Sequence, residues 1–352
     1  MGAFSMEEKL KTFYWIADRS GCAHYRCVLP GIELANRGHH VAVDHQMPQW
    51  VREGGCDVVV AQRTCMPGPT KVWQEMARAG QSKLVFEIDD DLLHVDPSNR
   101  DAYDFYSLGL LRGPGGTILE RDIPVAQNLI DNITVADLVT VTTEPLADLV
   151  AQWNRNVVVL PNMIRQWMLE QPMPNQDTER VTIGWAGSPT HDRDFGEVAK
   201  PLKRVLQRFG AATEFHCMGA DYTARVASRK GRTRFTGWVH GVGAYLQHVD
   251  FHIGIAPLRP STFTNCKSDL KLLEYAALGI PAVVSDTGPY ARAVAAGAPA
   301  RTAVTHREWE QALVDLIQSP ADREQLGKEA REWASTRTIE ANAWRWEEAY
   351  QS

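Results

Sequence analysis

Residues 256–286 read APLRPSTFTNCKSDLKLLEYAALGIPAVVSD. An apolar strand end gives way to a polar loop. A helix is predicted over residues 267–278, then a turn at Gly279 and a second strand over 282–285. Strand, helix and strand joined this closely make a βαβ unit, which lays two strands parallel in one sheet. Asn265, Lys267 and Ser268 are expected at the helix N-terminus, where free N–H groups and the positive end of the helix dipole suit a phosphate. Lys267 and Lys271 are four apart and would share a helix face, with Glu274 near the same face. That face either grips the phosphates and ribose hydroxyls of a nucleotide or is a capped surface helix with internal ion pairs.

The same alternation runs through the chain. Residues 12–17 (TFYWIA), 41–43, 57–61 (DVVVA), 83–88 (KLVFEI), 138–142 (LVTVT) and 157–160 (VVVL) are short apolar or β-branched runs, read as buried strands. Helical patterns over 28–36, 71–79, 123–136 and 146–153 separate them, and Gly38 closes the first helix in a left-handed conformation. Residues 20–26 (SGCAHYR) are expected to form a loop, and 97–123 to be irregular. Residues 165–180 are polar, carry Pro172 and Pro174, and read as a linker.

The pattern then restarts. Strands are expected over 181–186, 214–218, 233–236, 249–256 and 282–285, and helices over 195–209, 267–278, 290–296, 309–319 and 321–335. A Trp-rich helix over 340–350 ends the chain. The fold class is α/β: two doubly wound Rossmann-like domains facing across a cleft. The first is expected over 6–164 and the second over 181–338, with 339–352 crossing back to the first. Ligands of such sheets bind outside the carboxyl ends of the strands.

A length of 352 residues with 44% hydrophobic and 23% charged composition fits about two globular domains and excludes a disordered chain. No apolar run is long enough to span a bilayer. Met1–Ser5 read as residual tag sequence with Met6 as the native start, and no secretory signal is expected. The six cysteines show no paired metal-ligand spacing and are expected as reduced thiols of a cytoplasmic protein. Net charge is −6, and residues 1–165 hold 15 basic against 21 acidic residues, so the deficit sits in the first half. That balance disfavours bulk nucleic-acid binding. No Gly-rich dinucleotide fingerprint or P-loop is present, which weighs against dehydrogenases and NTPases.

In the first domain Glu87-Ile-Asp89-Asp90-Asp91 ends a strand. The acids either hydrogen-bond sugar or acceptor hydroxyls, or cap a helix; a metal role is not expected. Gly21, His24 and Arg26 follow the first strand and are candidates to meet an acceptor, with Gly21 permitting close backbone approach. The basic run Arg225, Arg229, Lys230, Arg232 and Arg234 is either a solvated face or a surface for a polyanionic acceptor. His191, in the polar stretch 188–194, is either a donor contact or structural. Trp333, Trp344 and Trp346 stand at helical spacing and are expected to pack.

The segment Leu273-Glu274-Tyr-Ala-Ala-Leu-Gly279-Ile-Pro281-Ala-Val-Val resembles the nucleotide-sugar site of GT-B glycosyltransferases, family 4 especially. Residues 181–188 (VTIGWAGS) resemble the first strand and loop of that family's C-terminal domain. Residues 236–239 (TGWV) resemble the segment that meets the nucleobase. Val249-Asp250 with residues 253–258, and Gly38-His39 with Val41, are further matches.

The resemblance implies a nucleoside diphosphate sugar as donor and a hydroxyl acceptor, with retention of anomeric configuration and no cofactor. It places Gly187, Ser188, Trp238, Asn265, Lys267, Ser268, Lys271 and Glu274 at the donor, Glu274 on its ribose. Lys271 and Arg193 would stabilise the leaving diphosphate. Gly21, His24, Arg26 and Asp91 would meet the acceptor, and Asp89 or Asp90 would serve as base if the enzyme inverts. Closure about residues 161–180 would exclude water. Where the family carries an acid near the donor sugar, this chain has Cys266. The acceptor is open: a small molecule, a glycan, a protein or modified nucleic acid. Two other readings remain, a sugar-nucleotide epimerase of the same fold and a catalytically silent nucleotide- or carbohydrate-binding protein.

Overall fold

The computed structural model describes residues 9–352. It divides into two units, one running to Asn162 and including Ile339–Ser352, the other Met163–Thr338. The proposed start at Met6 lies outside the described residues.

In unit 1, β1 (Lys11–Trp15), β2 (His40–Asp44), β3 (Val58–Gln62) and β4 (Lys83–Ile88) belong to one sheet. β5 (Leu111–Arg112) and β6 (Ile118–Glu120) pair as a small antiparallel hairpin. β7 (Leu138–Val141) and β8 (Val157–Val159) complete the main sheet, ordered β2-β1-β3-β4-β7-β8 with every pair parallel. β3, β4 and β7 are buried on both faces, which is why they read as unbroken apolar runs.

The residues expected as a loop, 20–26, are helical instead. Ser20 caps a turn beginning at Gly21, which passes through a wide π turn, His24–Val28, into the helix Leu29–Asn36. Residues 97–123 hold a short helix, Arg100–Tyr106, besides the hairpin. The C-terminal helix is two pieces, Ile339–Asn342 and Trp344–Gln351. It is fastened to unit 1 by Arg37 on Glu347 (2.5 and 2.7 Å), Lys83 on the Ala349 carbonyl (3.0 Å) and the Tyr14–Tyr350 hydroxyl pair (3.2 Å). Trp346 packs in the core there, but Trp344 is exposed, because residues two apart on one helix point to nearly opposite sides.

In unit 2, β9 (Val181–Gly187), β10 (Thr213–Gly219), β11 (Arg232–Thr236), β12 (Ile253–Ala256), β13 (Ala282–Ser285) and β14 (Arg301–Ala303) form a second parallel sheet, ordered β11-β10-β9-β12-β13-β14. The expected strand over 249–256 is shorter and starts only at Ile253. Gly184 and Gly254 are cross-strand partners, and their bare backbone lets the Phe251 and Tyr275 rings lie close, 6.0 Å apart. A Cβ on Gly184 would stand 1.9 Å from the Phe251 ring. Gly184→Ala is therefore expected to destabilise unit 2 by at least ~1–3 kcal/mol through overpacking, read from the midpoint of urea unfolding.

The two sheets reverse strand order at different places, between β1 and β3 in unit 1 and between β9 and β12 in unit 2. Crevices at such reversals, at the carboxyl ends of the strands, are where open α/β sheets bind ligands.

Candidate functional site

The carboxyl ends of β9 and β12 carry the richest chemistry of unit 2. β9 runs into Gly187-Ser188, a 3₁₀ turn over Pro189–His191 and the helix Asp192–Phe209. Asp194, on that helix's first turn, ties the two strand ends together. One oxygen pairs with His191 Nδ1 at 2.8 Å, and the other accepts the Arg259 amide, just past β12, at 2.9 Å. The Ser188 and Thr190 hydroxyls lie 2.6 Å apart.

Lys271 reaches the same strand end. Its ammonium donates to the Ala186 carbonyl and sits 5.9 Å over the Trp185 ring, which His191 also meets, edge-on at 6.3 Å. Burial pulls the Lys271 pKa down, Glu274 opposes this and Lys267 adds to it. Burial also lowers the His191 pKa; its bond to Asp194 resists, while Lys267 and Lys271 push the same way as burial. Lys267 lies 4.5 Å over the Phe263 ring. Glu274 is buried beside Tyr245, whose phenol is driven well above its ordinary pKa by burial and by that carboxylate.

The expected single helix over 267–278 is corrected. Ser261 caps a separate turn, Thr262–Cys266, Lys267 is extended (φ −63°, ψ 157°), and the next helix is Leu270–Ala277. Asp269, the residue before it, pairs with Arg337. Lys267 and Lys271 therefore come together through the bend and not along one helix face, and Asn265 is on the earlier turn. The Asn265 side chain and main chain each accept from Arg292 at 2.8 Å, so Arg292 holds this loop, a role its sequence position did not announce. Ser268 is half-buried in the bend, Cys266 is buried, and Arg193 is exposed on the first turn of its helix.

Trp238 is 55% exposed and belongs to the same strand ends. Gly219 has φ +86°, and a Cβ there would fall 2.3 Å from the Gly187 carbonyl and 3.3 Å from the Trp238 ring. The basic run is split: Arg225 pairs with Asp192 and Arg234 with Asp250 and Glu214, while Arg229, Lys230 and Arg232 are exposed.

Unit 1 has its own cluster beside its strand reversal. Asp89 follows β4, and Arg63 follows β3 in a left-handed conformation (φ +50°) that a bulky residue adopts only when its surroundings hold it there. Arg63 Nε donates to Asp89 at 2.5 Å, Nη2 reaches the Cys22 sulfur at 3.1 Å, and Asp90 lies 4.0 Å away. Burial acts to raise the Asp89 pKa, but the Arg63 and Arg26 guanidiniums, with the hydrogen bonds from Arg63 and Cys22, together outweigh it and hold the carboxyl below its ordinary range. Burial, reinforced by Asp89, pushes the Cys22 thiol up to about 12, so it stays neutral. Arg63 was missed; its one signal in the sequence is its place directly after a strand.

Two acceptor-side expectations are corrected. Arg26 is 1% exposed and fully committed: two bonds to Glu87 (2.6 and 3.1 Å), one to the Leu160 carbonyl (2.5 Å) and one to Asn162 (3.1 Å). It is a core ion pair and meets no acceptor, because the π turn rotates it inward. Asp91 is buried and accepts from the amides of Leu93 and His94 (3.2 and 3.1 Å) and from the His94 ring (3.0 Å), which closes a turn. Gly21 is exposed, with open space where a Cβ would stand. His24 remains half-buried, edge-on to Tyr25. Among the described residues no group of three or more His, Cys, Asp or Glu could hold a metal ion, and no helix is long and apolar enough to cross a membrane.

Residues 180–319 match the family model described as "Glycosyl transferases group 1". No curated protein matches. Among solved structures, the chain is similar to TarM at 16% identity, over 84% of this chain and 55% of that one, with a TM-score of 0.57. It thus spans about half the length of TarM. It is similar to WaaG, a glycosyltransferase involved in lipopolysaccharide biosynthesis (14% identity, 97% and 98% coverage, TM-score 0.61). Anabaena Alr3699/HepE, solved in complex with UDP and glucose, aligns at 13% identity over 97% of this chain and 100% of that one, with a TM-score of 0.65.

Proposed function

We propose that this chain, a glycosyltransferase of the GT-B fold, moves a sugar from a nucleoside diphosphate sugar held by unit 2 onto a hydroxyl acceptor. One observation carries the reading: Lys271 and Lys267 converge at the carboxyl ends of β9 and β12, where the strand order reverses, with Glu274 one turn further along. Two ammonium groups match a diphosphate, and a buried carboxylate one turn on matches the ribose hydroxyls. Trp238 offers a flat exposed face to the base.

The reaction breaks the bond from the sugar C1 to the diphosphate oxygen and forms one from C1 to the acceptor oxygen. Negative charge grows on the departing diphosphate, so the largest contribution is electrostatic stabilisation by Lys271, Lys267 and the amides after β9. We favour retention, with the departing phosphate oxygen taking the acceptor proton. In unit 1, a carboxyl such as Asp89 that neighbouring guanidiniums hold ionised is a weak base, suited to accept a hydrogen bond from a hydroxyl and not to keep its proton.

A thermal-shift panel of UDP, GDP, ADP and CDP tests the donor assignment. One of them at about 100 times its Kd is expected to stabilise the protein by ~2.7 kcal/mol; no shift from any removes the proposal. Glu274→Gln is expected to weaken the preferred diphosphate by about tenfold or more, as for a lost hydrogen bond to a charged group. A 2′,3′-dideoxy analogue should bind the wild type and the variant alike; if the variant weakens the diphosphate and its dideoxy analogue by the same factor, Glu274 does not touch ribose. Because Lys271 must be charged to hold phosphate and its pKa is lowered in the free protein, affinity should begin to fall with rising pH below the ordinary lysine range. Titration calorimetry at alkaline pH reads this, and Lys271→Ala should flatten it.

A further inference from the structure

We propose that His191 takes up a proton when a nucleoside diphosphate sugar binds, so that donor affinity is tuned near neutral pH. This rests on the donor site proposed above. The geometry is that of a primed imidazole. Asp194 receives the Nδ1 proton at 2.8 Å and is itself fixed by the Arg259 amide at 2.9 Å. The neutral ring therefore carries its hydrogen on Nδ1 and presents the Nε2 lone pair, a tautomer assigned from that bond.

The ring shares the Trp185 indole with the Lys271 ammonium, 6.3 and 5.9 Å from it. The charges that bear on it are Asp194 from its own turn, Lys267 from the bend and Lys271 from the following helix. Nearby, Asp192 is neutralised by Arg225 at 2.8 Å, and the Tyr222 hydroxyl donates to the Pro189 carbonyl at 3.3 Å and stays protonated. Burial and two cations keep the free imidazole neutral. A diphosphate placed among those cations reverses the balance: its oxygens cancel the ammonium charges and accept from a protonated Nε2. The sign follows from linkage. The bound state holds its proton more tightly, so affinity is highest at low pH. It declines by up to tenfold per pH unit between the free and bound titrations, and is flat above them.

Titration calorimetry at neutral pH with UDP-, GDP-, ADP- and CDP-glucose tests this, run in buffers of different ionisation enthalpy. Such esters have no phosphate group that titrates in this range. Wild type is expected to take up a fraction of a proton with the sugar nucleotide it binds. His191→Gln is expected to bind it severalfold more weakly with no uptake. In NMR of the wild type, the His191 resonance should titrate at higher pH with nucleotide than without. Equal uptake by both proteins, or an unmoved His191 titration, overturns the inference while leaving the donor site intact. Failure of all four to bind the wild type refutes the donor site itself.

Discussion

Lys271→Ala is expected to cut kcat/KM for the sugar nucleotide by about 10²–10³-fold, the loss typical when one preorganised donor to a developing anion is removed, or ~3–4 kcal/mol. The protein should fold as before. In the structure Lys271 is half-buried, and its ammonium donates to the Ala186 carbonyl and lies near a second cation, an arrangement that costs desolvation and returns little stability. Thermal melting without ligand should therefore be unchanged or slightly raised, while stabilisation by nucleoside diphosphate is lost. Lys271→Arg should recover part of the affinity, because charge matters more than shape when the partner is a phosphate. Nucleotide affinity within twofold of wild type in Lys271→Ala would place the donor elsewhere.

The second large effect is one of stability. Arg26→Met leaves the Glu87 carboxylate buried with only the Thr140 hydroxyl, and should cost ~3–5 kcal/mol, as for a buried ion pair stripped of one partner. For a unit of this size that is a drop in Tm on the order of 10 °C. Burial already raises the Glu87 pKa, and without the guanidinium it rises further. A group whose folded pKa is raised supports the fold below its unfolded value and ceases to as pH climbs. The deficit of the variant should accordingly shrink as pH is lowered. Arg26→Met with Glu87→Leu should regain most of the stability. A single Arg26→Met that melts like wild type but loses activity would return Arg26 to the acceptor side, where its place after the first strand had put it.

The candidate cluster of unit 2 could be read in part from the sequence because its signals are local. Glu274 three residues after Lys271 fixes their relation within one helical turn, and Gly279 with Pro281 fixes the turn into β13. The candidates of unit 1 misled because their meaning depends on partners remote in sequence. Arg26 looks like a loop cation until Glu87, 61 residues on, and Leu160, 134 residues on, are brought to it. Arg63 is unremarkable as a letter, and only the folded chain shows its left-handed backbone and its grip on Asp89 and Cys22. Lys267 was placed on a helix because nothing within its own stretch reveals that Arg337 and Arg292 hold the bend.

What the chain's letters determined alone is therefore the pair of α/β units and the lysine–glutamate spacing, since periodicity and short-range geometry need only neighbours along the backbone. The tertiary structure decided the strand orders, and with them which strand ends gather a site. It also decided which charges are spent on the core and which stay available. Both questions turn on burial, and a charge is buried only where distant segments supply the partner that offsets its lost water.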